Sequence, residues 1–142
     1  MTDGKVKIKV TGWQTTGGDS DTTVIDVEGT YEKDGDGCKV RYIEKPADDI
    51  EVENEVTASA DKAIINKRGP INSDMIFVPG EVQDIEYQTP FGTIDMKAKC
   101  DSILFYEEES EVSIMISYTL YAGDRMMAYC KTLLEITPMK AS

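Results

Sequence analysis

The sequence predicts an all-β protein, an antiparallel up-and-down β-barrel of about eight to ten strands. Alternating apolar and polar residues fill the chain from Lys5 to Thr137, and no segment has helical periodicity. Turn residues separate the alternating stretches at intervals of roughly 10–14 residues. A β-sandwich has the same pattern, and the short hairpins between consecutive strands favour the barrel.

In the first half of the chain, each predicted strand ends at a recognisable turn. The second strand carries Gly29 on its apolar face, at a place where a side chain would crowd a neighbour. An Asp-Gly turn within 33–37 then starts the next hairpin. The apolar faces of these strands are Val6, Ile8 and Val10; Thr23, Ile25, Val27 and Tyr31; Cys38, Val40 and Tyr42; and Ile50, Val52, Val56 and Ala58.

The second half continues the pattern with shorter strands followed by longer ones. Four large residues in a row, from Ile103 to Tyr106, predict a bulge or a register shift there. The stretch that begins at Val112 has the most regular alternation in the chain, and its Val112, Ile114 and Ile116 are expected in the core. The predicted strands are 63–67, 75–78, 82–89, 93–106, 112–120 and 126–136.

Length and composition are those of a single globular domain over residues 1–142, with 40% hydrophobic and 30% charged residues. The N-terminal residues lack the apolar core of a signal peptide, and no stretch approaches the roughly 20 apolar residues of a membrane span. The three cysteines, an odd number, form no Cys-x-x-Cys pair. We therefore expect a cytoplasmic protein with reduced thiols.

The formal net charge of −12 bears on partners. It would repel nucleic-acid phosphates and anionic lipid headgroups, so we expect neither nucleic-acid nor membrane binding. An acidic surface favours solubility and would also suit a basic partner. The sequence identifies no protein partner and no oligomeric state.

No catalytic or metal-binding constellation stands out. The chain has no histidine, which removes Ser-His-Asp and Cys-His catalysis and His-containing zinc sites. Asp34, Asp36 and Gly37 resemble part of a calcium loop, but the residue at its twelfth position is Ile43, so a hairpin turn is the better interpretation. Cys100 and Cys130 lie on apolar faces. We expect no enzyme, no cofactor and no metal.

Two runs of the chain resemble the YwiB-like family of uncharacterised bacterial proteins. One run extends from Lys67 to Phe77 (KRGPINSDMIF) and the other from Tyr87 to Ile94 (YQTPFGTI). Upstream, Gly29-Thr30-Tyr31 and Val40-Arg41-Tyr42 are similar to the family's second and third strands. The resemblance implies a small cytoplasmic barrel of lipocalin-like, or calycin, type, and it implies no activity because such barrels have many unrelated functions.

The candidate ligand-binding residues are aromatic, Met and hydroxyl side chains expected on inward faces, with one arginine from the first family run. A barrel of this size is either filled by side chains or open to one small ligand. We favour a barrel that binds a small apolar molecule in its interior. The alternative is a filled barrel that acts as a protein-interaction module. The candidate residues are Tyr31, Tyr42, Arg68, Ser73, Met75, Phe77, Tyr87 and Tyr118.

Overall fold

The computed structural model describes residues 1–139, and this part of the chain contains ten β-strands and no helix. Every strand runs antiparallel to its neighbours in one sheet. The strands are β1 (Gly4–Thr16), β2 (Asp19–Asp34), β3 (Gly37–Ala47), β4 (Ile50–Ala58), β5 (Ala63–Arg68), β6 (Ser73–Phe77), β7 (Val82–Thr89), β8 (Gly92–Glu107), β9 (Val112–Ala122) and β10 (Arg125–Pro138).

The sheet curls into a nearly closed barrel, which confirms the predicted fold class. Its strand order is β6-β5-β4-β3-β2-β1-β10-β9-β8-β7, so β1 joins the last strand to the second, and β6 and β7 are the two edges. Those edges meet at a single antiparallel bridge between Asn72 and Gln88, whose backbone N–H and C=O groups exchange two hydrogen bonds of 2.9 Å. We call the junction between β6 and β7 the seam.

The core lies inside the barrel, on the strand faces that the alternation predicts. Val6 and Ile8 on β1 and Val112, Ile114 and Ile116 on β9 are all buried. Cross-strand pairing aligns Ile136 of β10 with Ile8 on one side and with Val112 on the other. Side chains at alternate positions of adjacent strands therefore pack together on the inner face.

Gly29 marks the place where the sheet divides. Pairing between β2 and β3 begins at Gly29 with Tyr42 and runs only toward the β2–β3 turn, so residues 19–28 of β2 have no partner on that side. A Cβ at Gly29 would collide with the carbonyl oxygen of Arg41 and lie 2.8 Å from Cδ1 of Ile8. The crowding predicted for this glycine is confirmed, because β1 and β3 approach it from both sides.

The long strand β8 contains the predicted irregularity, at a slightly different position. Its register against β9 shifts between Cys100 and Ser102, so Asp101 is the extra residue. The sequence places the shift at 103–106, where four large residues follow one another. Ile103 and Phe105 in fact alternate regularly with Leu104 and Tyr106, because the shift has already occurred.

The two ends of the barrel differ. We call one the closed end; it holds the turns after β2, β4, β6 and β8. The other, the open end, holds the turns after β1, β3, β5, β7 and β9. Most inward-facing residues near the closed end are buried, with Phe105 partly buried, whereas Val10, Tyr87, Tyr118 and Leu120 toward the open end are all only partly buried.

Cys38, Cys100 and Cys130 are all buried and free of disulfides. Burial raises the pKa of the Cys38 thiol to about 11, and it also raises the pKa of Cys100 and Cys130. No stretch of residues 1–139 forms a helix with the length and apolar character needed to cross a membrane.

Candidate functional site

One cross-strand row on the inner face carries a hydrogen-bonding side chain on each of five adjacent strands. Backbone pairing aligns Tyr42 with Asn54, Asn54 with Lys67, and Lys67 with Ser73. The bridge between Asn72 and Gln88 extends the row across the seam, because antiparallel register then sets Ser73 opposite Tyr87. We call Tyr42, Asn54, Lys67, Ser73 and Tyr87 the polar row.

The middle of the polar row is a connected network. Lys67 Nζ donates to Asn54 Oδ1 at 2.8 Å and to Glu44 Oε1 at 3.1 Å. Asn54, which is buried, donates from Nδ2 to the same Glu44 oxygen at 3.1 Å and to the carbonyl of Val52 at 3.2 Å. The lysine charge is therefore balanced by a carboxylate, and the buried amide is satisfied.

Ser73 lies beside this network and is not part of it. Its side chain is 3% exposed and its Oγ has no hydrogen-bond partner. A buried hydroxyl without a partner costs on the order of 1–3 kcal/mol, so such groups are rare in native proteins. The site can therefore give a hydrogen bond to, or accept one from, a group that enters from outside the chain.

An apolar floor lies next to the polar row. Tyr87 donates its phenol O–H to Sδ of Met75 at 3.4 Å, a weak acceptor. Farther in, the rings of Phe77 and Tyr118 pack with their centroids 4.8 Å apart and their planes tilted by 45°. Burial raises the pKa of Tyr42, Tyr87 and Tyr118, so all three phenols are neutral at physiological pH.

The structure brings together six of the eight candidate residues. Tyr42, Ser73, Met75 and Tyr87 lie at or beside the polar row, and Phe77 and Tyr118 form its floor. The remaining two lie elsewhere. Strand pairing, and not residue type, decides at which end of the barrel and on which face of the sheet a residue lies.

Tyr31 and Arg68 are the two that lie apart. Tyr31 is at the closed end, where its O–H donates to Glu107 Oε2 at 3.2 Å. Arg68 lies on the outer face, with Nη2 2.8 Å from the Asp74 carboxylate and Nη1 donating to the carbonyls of Lys67 and Ser73. A step of one residue along a strand reverses the face, so Lys67 lies inside and Arg68 outside.

Asn54, Lys67 and Glu44 belong to the site and were not singled out by sequence reasoning. Asn54 is in phase with Val52 and Val56, and Lys67 is in phase with Ala63 and Ile65. A polar residue at a core position of an alternating strand was the available signal, since it needs a partner on the inner face.

Surface clefts surround the barrel. Five of them have volumes of about 370 to 510 Å³, and none of the five is lined by more than one of the candidate tyrosines. One, of about 460 Å³, lies over the seam and includes Ser73. Among residues 1–139, no group of three or more His, Cys, Asp or Glu side chains is placed to hold a metal ion.

Comparison with known proteins identifies the fold and the family. The crystal structure of the ywiB protein from Bacillus subtilis superposes with a TM-score of 0.86 at 18% sequence identity, covering 97% of this chain and 94% of that one. No curated protein matches the sequence. A family model described as "Domain of unknown function (DUF1934)" matches residues 8–134, and the chain therefore belongs to that family.

Proposed function

We propose that this protein binds a small molecule with a largely apolar body at the open end of its barrel, where the polar row holds one polar group of that ligand. The observation that carries the proposal is Ser73, whose buried Oγ has no partner although it lies beside the hydrogen-bonded network of Asn54 and Lys67. A ligand pocket typically combines apolar walls with a few convergent polar groups. The polar row and its apolar floor have that composition.

The exposure of side chains on the inner face also supports a ligand site at the open end. On β8, Ile94 faces inward opposite Tyr87 yet is 52% exposed, and Met96 is partly exposed. On β1 and β2, Val10, Ile25 and Val27 are partly buried beside the place where β2 leaves β3. Apolar surface left exposed on an inward face is surface that an apolar ligand would cover.

The test is a titration with an apolar fluorescent probe such as an anilinonaphthalene dye. We expect one saturable site, and we expect Tyr87→Phe or Met75→Ala to change the affinity by about 1 kcal/mol, the usual scale of one hydrogen bond or a partial packing change. Ser73→Ala should leave the protein folded and change affinity only for ligands that carry a hydrogen-bonding group.

Tyr31→Phe is the matched control for Tyr87→Phe. It removes the same hydroxyl at the closed end, where that hydroxyl donates to Glu107. Equal effects of the two substitutions on probe affinity, or no saturable binding by the folded protein, would rule out a ligand site at the open end.

A second candidate function, a protein-interaction module, is favoured by one region of the outer face. The chain's single tryptophan, Trp13, is 36% exposed and shares a cleft of about 370 Å³ with Met115, Tyr129 and Lys131. Aromatic residues and Met are enriched where proteins meet. The net charge of −12 would suit a partner with basic residues around an apolar centre.

One measurement separates the two functions. A native mass spectrum of the protein purified from its own host would show an added mass of a few hundred daltons for a bound small molecule, about the size that a pocket of 300–1,000 Å³ holds. A bound protein would appear as a complex of much larger mass. A bare monomer in that spectrum, with no probe binding, would count against both functions.

We also propose that the protein works in the cytoplasm. The three buried and free thiols support this location, because exported proteins usually oxidise or avoid them. Fractionation of host cells with detection of the native protein tests it, and recovery in a secreted fraction would overturn it.

A further inference from the structure

A row of largely apolar side chains crosses the outer face of the barrel, where an antiparallel sheet in water usually has polar residues. Backbone pairing aligns Leu104 of β8 with Met115 of β9, and Met115 with Leu133 of β10. The alignment continues from Leu133 to Thr11 of β1 and from Thr11 to Val24 of β2. We call these five residues the outer row.

The outer row forms one continuous apolar surface. Leu104 is 44% exposed and Val24 is 51% exposed at its two ends. Thr11, which lies between Leu133 and Val24, is buried, so the side chains around it leave little space. Trp13 follows Thr11 by two residues on the same face and adds its ring to the apolar area. A contiguous exposed patch of this kind marks a surface where another molecule binds.

Charged residues flank the outer row, with opposite net signs on its two sides. Toward the open end, Lys131 lies two residues from Leu133 on β10. Toward the closed end, Glu135 lies two residues from Leu133 in the other direction, and it is aligned with Lys9 and then with Asp26. Within residues 1–139, Lys9, Lys131 and Glu135 take part in no salt bridge. These three charges are therefore available to another molecule.

This part of the surface does not share the acidity of the chain, whose formal net charge is −12. The outer row and the row on each side of it contain two cations, Lys9 and Lys131, and two carboxylates, Asp26 and Glu135. Their charges sum to zero. A second acidic molecule therefore meets less like-charge repulsion at this face than it would at an average part of the surface.

We propose that the outer row binds a second copy of this chain, and that the two-fold axis of the dimer runs along the row. This axis sets the two outer rows against each other, and on β10 it sets Glu135 opposite Lys131 of the second copy. On β1 it sets Lys9 opposite the ring of Trp13 of the second copy, where a cation–π contact can form. Each contact occurs twice, because a two-fold interface is self-complementary.

The charges select this axis over the other arrangement that would stack the same faces. A two-fold axis parallel to β10 would set Glu135 against Glu135 and Lys131 against Lys131. Like charges placed together across an interface oppose association, whereas opposite charges fix its register. The axis along the outer row is therefore the favoured one.

The interface is small, so we expect a dimer that dissociates on dilution. Including the next row toward the open end, with Thr15 and Tyr129, the face spans about 20 Å by 19 Å between Cα atoms, because alternate residues lie about 6.8 Å apart and strands about 4.8 Å apart. With side chains at its margins it offers roughly 600 Å² per copy, at the low end of specific interfaces. The dimer does not depend on the ligand site, which lies on the inner face, and it commits the region around Trp13 to one partner.

Sedimentation velocity of the full chain over a series of concentrations tests the dimer. We expect the mass to rise toward twice the chain mass of 15.8 kDa as the concentration increases. Lys131→Glu alone, or Glu135→Lys alone, sets two pairs of like charges in the interface and should raise the dissociation constant at least about tenfold. An equimolar mixture of these two variants has opposite charges at both places. The mixture should therefore dimerise nearly as well as the unaltered protein.

Lys62→Glu and Glu81→Lys are the matched controls. They make the same two changes of charge at exposed positions in the β4–β5 and β6–β7 turns, away from the outer row. We expect both controls to dimerise like the unaltered protein. Far-UV circular dichroism verifies that each variant folds.

The outcomes are distinct. The mass of a single chain at every concentration would overturn the dimer. Dimers that persist in both single variants, or variants that stay monomeric when they are mixed, would overturn this face and axis. A different protein bound to the chain in the native mass spectrum, with no dimer of the chain, would overturn the choice of partner.

The titration with the fluorescent probe reports on the ligand site separately. Saturable probe binding by a protein that stays monomeric would overturn the dimer and leave the ligand site standing. A dimer that binds no probe would overturn the ligand site and leave the dimer standing.

Discussion

The same strands have a buried inner face at one end of the barrel and a partly exposed one at the other. Along β9, Val112, Ile114 and Ile116 are buried, and Tyr118 and Leu120 are not fully covered. Along β8, Cys100 and Ala98 are buried whereas Ile94 is exposed. Hydrophobic alternation continues without change through both halves, so residue type does not explain the difference.

Strand pairing explains it. Near the closed end, β2 pairs with β3 from Gly29 to Asp34, so the wall is continuous at the β2–β3 junction. Polar side chains also hold this end together: Lys33 Nζ donates to both carboxylate oxygens of Glu107 at 2.7 Å, and Tyr31 donates to the same group. Toward the open end, β2 and β3 separate, and inward residues lose their neighbours. The closed end therefore has the more completely buried inner face, and the open end leaves apolar inward side chains partly exposed.

The largest expected effect compares two inward isoleucines. Ile114 is 0% exposed and Ile94 is 52% exposed. Ile114→Ala should lower the free energy of unfolding by about 2–5 kcal/mol, because it removes buried methyl groups and leaves a cavity. Ile94→Ala should cost less than about 1 kcal/mol, since most of its side chain already contacts water. Urea denaturation measures both, and similar losses would refute the distinction between the two ends.

Gly29 lies where the closed wall gives way to the open one, and a side chain there tests that junction. Gly29→Ala should destabilise the protein by about 1–3 kcal/mol, the usual cost of overpacking, because the added Cβ meets the Arg41 carbonyl and Ile8. The control is Gly18→Ala in the β1–β2 turn, where a Cβ would have no neighbour within 4 Å. If Gly29→Ala were as stable as the unaltered protein, β3 and β1 would have to move apart around Gly29 at little cost.

The labelling rates of two cysteines offer a kinetic comparison of the two ends. Cys38 is fully buried at the closed end, with its pKa raised to about 11 mainly by burial. Cys130 lies next to Tyr118, toward the open end. Because the thiolate is the reactive form, we expect Cys130 to react with a thiol reagent roughly tenfold faster than Cys38 at neutral pH. Mass spectrometry of the labelled peptides gives both rates, and faster labelling of Cys38 would contradict a sealed closed end.

The smallest expected effect is at the ion pair of the closed end. Hydrogen bonding from Lys33 holds the pKa of Glu107 below its ordinary value. Its stabilising contribution is therefore present above the ordinary carboxyl pKa and is lost as the pH falls below that value and through the lowered one. Both side chains are partly exposed, so Glu107→Gln should cost only about 0.5 kcal/mol at pH 7 and almost nothing at pH 2.5. Urea denaturation at the two pH values tests this, and a loss that persists at pH 2.5 would show that the charge is not responsible.

Part of the candidate site could be predicted from alternation alone. Tyr42, Ser73, Met75, Phe77 and Tyr87 were expected on inward faces, and the structure has Tyr42, Met75 and Phe77 buried there, with Ser73 and Tyr87 opposite each other. The alignment of Tyr42, Ser73 and Tyr87 in one row depends on the register of five strands. Only four residues connect β6 to β7, yet these strands do not pair as a hairpin, and no local sequence pattern predicts the seam between them.

The sequence by itself determined the all-β class, the inward face of most strands and the crowding at Gly29, because side-chain direction in a strand has a period of two residues and depends only on neighbours in the chain. Tertiary structure decided which end is closed, that Lys67 faces inward and Arg68 outward on β5, and that Ser73 is left without a hydrogen-bond partner. These properties depend on which strands pair and where pairing stops. Strand pairing depends on contacts between residues far apart in sequence, and a local sequence pattern does not report the energies of those contacts.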